Sequence, residues 1–192
     1  MVDVDIVNTA IENAMLAHFG DQHRLSDVVQ MYHGMGRHYH NWSHVLYVAA
    51  GMIGHVRESE LIVAAVYHDA VYDVMCDDNE INSAILYGDH CKLADIEPLP
   101  FVNAAIMYTA STEVPDRNDS ASVLWYRDNS VTYSTDFGEL LIWEQKISRE
   151  FSVYPRHTYL RGRIEFLNGI LERNELIARL INLLQSELNY FQ

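Results

Sequence analysis

Residues 60–72 read E-L-I-V-A-A-V-Y-H-D-A-V-Y, apolar nearly all the way round a helix. A helix of that kind belongs in the interior of a protein. The segment therefore predicts a buried central helix, which other elements must surround. Helical periodicity supplies them. Ile6, Ala10, Ile11, Ala14 and Met15 share one face of a first helix. Val28, Val29 and Tyr32 mark a second, and Val45, Val48, Ala49 and Met52 a third. Asp78 can cap a helix running to about Ala94. Further helices are expected over residues 99–110, 120–127 and 137–151. Residues 160–188 read as one broken helix or two, with the break at Asn174 or Glu175. No strand pattern competes, since Val131-Thr132-Tyr133 is β-prone but too short for a sheet. The expected fold is all-α, a single domain over residues 1–192.

The central segment carries a contradiction. His68 and Asp69 lie in the middle of its apolar run. An ionised carboxylate buried without a partner is strongly unfavourable, so Asp69 must be paired or bound to a metal. A simple Asp–His hydrogen bond would meet that need, as would an aspartate facing solvent at the helix edge. Asp73 follows one helical turn later, and carboxylates stacked at that spacing repel unless a cation lies beside them. The stack favours a metal.

Three other segments carry chemistry. Arg37 to His44, R-H-Y-H-N-W-S-H, concentrates imidazoles, with His40 and His44 at i, i+4. Alone it is equally well a solvated helix start. Asp77 to Ala84, D-D-N-E-I-N-S-A, is an acidic helix start that needs no further role by itself. Asp136, in S-T-D-F, suits a helix N-cap.

Charge narrows the partners. The formal net charge is -14, which disfavours a nucleic-acid polymer as ligand. A small phosphorylated substrate would need local positive charge, from a metal and from groups such as Arg37 and His38. Two cysteines, Cys76 and Cys91, make no disulfide framework, and the acidic N-terminus does not resemble a signal peptide. No apolar run approaches the length of a membrane span. A cytoplasmic protein without a membrane partner is expected, with homo-oligomers left open.

Taken together, the order His44, His68-Asp69, Asp136 resembles the HD superfamily of metal-dependent phosphohydrolases. The fuller pattern R-H-Y-H-x3-H, H-D-x-x-Y-D and D-N-E-x-x-S-A is similar to its bacterial predicted-phosphohydrolase branch, from about Met31 to Ile170. The resemblance implies an all-α HD domain in which His44, His68, Asp69 and Asp136 ligate one divalent transition metal. Mixed imidazole and carboxylate ligands suit Mn, Fe, Co, Ni or Zn. It implies that Asp73 or Glu80 serves the attacking water and that His40 protonates the leaving oxygen. Arg37 and His38 would bind phosphate, and Tyr72 could stack on a base. The branch carries a T-x-x-H element where this chain has Thr109-Ala110-Ser111-Thr112, so one metal is expected rather than two. The substrate class implied is a phosphate ester, a small nucleotide above all. Two alternatives share the ligand set: a di-iron oxygenase, and a binding module that retains metal without turnover.

Overall fold

The structure is a computed structural model and describes residues 3–191; Met1, Val2 and Gln192 lie outside the described residues. Ten α-helices and four short 3₁₀ turns make it up, with no strand among the described residues. The all-α expectation holds. Contacts divide the chain into two compact units, residues 1–128 and 129–192. The motif core read from the sequence, residues 31–170, straddles that boundary.

The first unit contains α1 (Val4–Phe19), α2 (His23–Tyr32), α3 (Trp42–Ala50), α4 (Glu58–Tyr67), α5 (Asn79–Leu93), α6 (Pro100–Thr109) and α7 (Ser122–Asp128). The central helix is α4. It packs against α1, α3, α5, α6 and α7, and every residue from Leu61 to Tyr67 is buried. Burying each of its larger aliphatic side chains contributes about 1.5–3 kcal/mol. On α1 the buried stripe is Val7, Ile11, Ala14, Met15 and Phe19, while Ile6, expected inside, is 56% exposed. The third helix follows expectation, with Val45, Val48, Ala49 and Met52 all buried.

One difference matters for the site. The sequence predicts one helix over residues 60–72, but α4 ends at Tyr67, with His68 as its C-cap. Its apolar sequence would allow the helix to continue. Side chains from distant segments instead capture the backbone beyond it. The Tyr32 hydroxyl donates to the Val66 carbonyl at 3.0 Å and accepts from the Asp69 amide at 3.2 Å. Ser83, buried on α5, accepts from the Val71 amide at 3.1 Å and donates to its carbonyl at 3.3 Å. The end of a helix needs such partners, because its last carbonyls have none within the helix.

The second unit contains α8 (Phe137–Glu150), α9 (Arg156–Gly169) and α10 (Glu175–Leu188). The expected break falls at Asn174, whose side chain caps α10 by accepting from the Leu176 amide. Ile177, Leu180, Leu184 and Leu188 form the buried stripe of α10. Residues Val131, Thr132 and Tyr133 lie in a 3₁₀ turn.

Candidate metal centre

Three helix ends of the first unit bring ionisable groups together. Asn41 caps α3 by accepting from the Ser43 amide at 2.9 Å, which starts the helix at Trp42 and sets His44 in its first turn. His68 and Asp69 follow directly on α4. Asp128 is the last residue of α7. One ligand atom from each of His44, His68, Asp69 and Asp128 lies within 4.8 Å of all the others. Among the described residues this is the one such group of His, Cys, Asp and Glu.

The distances are short. The Nε2 atoms of His44 and His68 stand 3.3 Å apart. His68 Nε2 is 3.0 Å from Asp69 Oδ2, and His44 Nε2 is 2.9 Å from Asp128 Oδ1. The crossed pairs, His44 to Asp69 and His68 to Asp128, are both 3.7 Å. His68 Nδ1 donates to the Ala65 carbonyl at 2.8 Å, which turns Nε2 toward the cluster. Such a backbone acceptor behind the ring is what orients a metal-ligating histidine.

The electrostatics favour a cation. Burial pushes the carboxyls of Asp69 and Asp128 upward, but their basic neighbours win. The charges of His68 and His40, with the hydrogen bond from His68, hold Asp69 at about 2. Hydrogen bonds from His44 and His68 hold Asp128 far below the usual carboxylate range. Burial presses the His68 pKa down, but Asp69 and Asp128 raise it well above its ordinary value. Without a metal, the two carboxylates therefore favour a proton on His68. His68, Asp69 and Asp128 also sit at the C-terminal ends of α4 and α7, where the helix dipole favours positive charge.

The residues fit a divalent ion. Two imidazoles and two carboxylates form a mixed N/O set suited to first-row transition metals. The expected ligands His44, His68 and Asp69 all belong to the cluster. The fourth member is Asp128, where the sequence pointed to Asp136. Asp136 instead caps α8 in the second unit, accepting from the Gly138 amide at 2.7 Å. That is the alternative role its sequence suggested.

The other expected site residues divide. Glu80 opens α5 partly buried, and its carboxyl is raised, first by burial and then by the charges of Asp69 and Asp128, against its own backbone hydrogen bond. His40 lies with its ring 5.9 Å from that of His44 and lowers Asp69 by its charge. Asp73 is exposed in the loop after α4, where its carboxylate accepts from the Met75 amide at 2.9 Å. Because α4 ends at Tyr67, Asp73 does not stack one helical turn beyond Asp69. His38 is exposed. The Tyr72 ring has His40 against it at 4.3 Å and the Arg37 guanidinium over it at 5.3 Å.

Sequence reasoning missed Asp128, Tyr32 and Ser83. A signal existed for the first: an aspartate closing a helix opposes the dipole and calls for a compensating cation. Its position is set by the residue before it. Arg127 donates through Nε and Nη2 to the Tyr47 carbonyl at 3.1 and 3.0 Å, fixing the end of α7 on α3. Gly51 makes room, since a methyl there would meet Arg127 Cδ and Nε at 2.6 Å.

No family model, curated protein or solved structure matches the chain. Among the described residues, no helix is long and apolar enough to cross a membrane.

Proposed function

We propose that this chain is a metal-dependent phosphohydrolase of the HD type, acting on a small phosphate ester of the nucleotide class. The convergence of His44, His68, Asp69 and Asp128 within 4.8 Å carries the reading. These four would hold one divalent ion, Mn, Fe, Co, Ni or Zn by ligand type. When bound, such an ion supplies Lewis acidity toward a phosphoryl oxygen and acidifies water.

The chain's own residues supply the rest. Glu80, partly buried and with its carboxyl raised by burial and by the charges of Asp69 and Asp128, would take the proton of the attacking water. His40 would hand a proton to the leaving oxygen. His38, exposed close to it in sequence, offers a ring N–H that a phosphate oxygen could accept on an otherwise acidic protein. Asp73, exposed in its loop, is the weaker choice of base. The D-N-E-x-x-S-A element then has two roles, a base in Glu80 and a backbone anchor in Ser83.

The test is a metal-supplemented screen over nucleotides and phosphate monoesters, beside Asp69→Ala. Phosphate release with Mn²⁺, Co²⁺ or Ni²⁺, lost in the variant, is expected. Equal activity in the variant overturns the assignment. Two irons per chain with oxygen uptake and no phosphate release would replace it with an oxygenase.

A further inference from the structure

The sequence points Arg37 toward phosphate, but its guanidinium is committed elsewhere. Nη1 donates to the carbonyls of His40 at 3.0 Å and Asp69 at 2.7 Å, and Nη2 donates to the Ala70 carbonyl at 2.8 Å. The side chain also lies over the rings of Tyr32 and Tyr72, at 4.9 and 5.3 Å. We propose that Arg37 is a positioning residue that locks the ligand-bearing turn, residues 68–70, onto the segment that carries His40 and His44.

The sequence makes this arrangement necessary. The helix α4 stops at Tyr67 although its apolar residues continue. Its trailing carbonyls then lack helical partners and lie under protein cover, where an unmet acceptor is destabilising. A guanidinium suits this position because it is always charged, planar and forked, so it reaches three carbonyls at fixed angles. It also brings positive charge to the negative end of the helix. Tyr32 holds the Asp69 amide from the other side, and Ser83 holds both polar groups of Val71. Three side chains from separate parts of the first unit thus fix the backbone on which His68 and Asp69 ride.

One of the three does more than hold the turn. By donating to His40 as well as to Asp69 and Ala70, Arg37 ties together two ligand-bearing segments of the chain. Loosening it would shift His68 and Asp69 against His44 without removing any ligand side chain. Outer partners of this kind change metal affinity about 10–100-fold when removed. A lysine keeps the charge but lacks the planar fork, so it should recover only part of the function.

The inference rests on the metal-site reading, and the experiment separates the two. Co²⁺ is titrated into the full chain while its visible absorption is followed, for wild type, Arg37→Gln, Arg37→Lys and Asp69→Ala. Circular dichroism checks that each is folded. Wild type should bind one Co²⁺ and Asp69→Ala should lose the bands. Arg37→Gln should weaken Co²⁺ binding at least about tenfold and alter the absorption bands, with Arg37→Lys between. In the phosphate-release assay at saturating metal, kcat should fall with KM nearly unchanged. Wild-type affinity and spectrum in both Arg37 variants, with a raised KM, would make Arg37 a phosphate ligand. A lowered melting temperature alone, with affinity and spectrum unchanged, would make it merely structural. Either result overturns the proposal. If Arg37→Gln does not fold, Arg37→Lys with unaltered affinity and bands overturns it equally. A wild type that binds Co²⁺ no better than Asp69→Ala removes the metal site, and the proposal with it.

Discussion

Each unit of the chain buries carboxylate against basic groups, and the two arrangements close differently. In the second unit, Glu144 on α8 receives Arg163 Nε of α9 at 2.7 Å and the Tyr159 hydroxyl on its other oxygen. Both charged side chains are buried, and the guanidinium lies 4.2 Å over the Trp143 ring. One anion meets one cation, and the charge is balanced within the protein. In the first unit, Asp69 and Asp128 face two imidazoles whose Nε2 atoms point at each other. The two carboxylates favour a proton on His68, which would balance them only in part. The difference teaches how to tell structural from functional buried charge. A pair whose charges cancel needs no further ion, even though Arg163 Nη2 is buried without a hydrogen-bond partner. A cluster whose ligand atoms converge could hold a cation from outside.

The comparison breaks most directly at Asp128. Asp128→Asn should weaken metal binding about 100-fold or more, whereas Asp136→Asn should leave it unchanged and keep the α8 cap, since asparagine also caps helices. Calorimetric metal titration of the two variants checks this. The opposite ranking would return the fourth ligand to Asp136.

In the second unit, the expected loss is of stability. Glu144→Ala leaves Arg163 charged and buried, and should cost about 3–5 kcal/mol in denaturant unfolding. Pairing it with Arg163→Met should recover much of that loss, because the closed pair serves packing alone.

The pH dependence separates the units further. In the metal-free protein the His68 pKa is raised above its unfolded value, so its contribution is present at low pH and lost as pH rises through the folded pKa. Asp69 behaves oppositely. Its pKa is lowered to about 2, so its contribution is present above the unfolded carboxylate range and lost as pH falls toward 2. Metal competes with the His68 proton, so metal affinity should rise with pH and level off above the folded His68 pKa. Melting curves across pH, with and without Mn²⁺, should diverge on the alkaline side; parallel curves would show that no proton is displaced.

The smallest effect belongs to the α9–α10 ion pair. Arg156 Nε and Nη2 each meet a Glu187 oxygen at 2.7 Å, but both groups are partly exposed. Glu187→Gln should change unfolding stability by no more than about 1 kcal/mol.

Much of the fold was legible in the sequence because burial follows local periodicity. The stripes of α3 and α10 could be read directly, and so could the break at Asn174. Ile6 was misplaced because α1 carries apolar residues on more than one side. The end of α4 was not legible at all. Nothing within residues 60–72 stops the helix; Tyr32, Arg37 and Ser83 do, from 12 to 37 residues away. For the site, His68 and Asp69 stood out as polar groups where apolar ones belonged, and His44 by the imidazoles clustered around it. Asp128 did not, because it ends a short helix beside Arg127 and resembles ordinary surface charge until the chain folds. Asp136 stood out for a reason that was also true, its fitness as a cap.

The single hydroxyl of Tyr32 has a kinetic consequence. It joins the Val66 carbonyl to the Asp69 amide from a position 1% exposed on α2. The turn that carries His68 and Asp69 therefore cannot swing open as a loop does. To let go of a bound ion by moving that backbone, the protein has to pull Tyr32 out of the core. With an ion in place, release through that backbone would wait on α2 lifting from its neighbours, and the ion would in turn resist that motion.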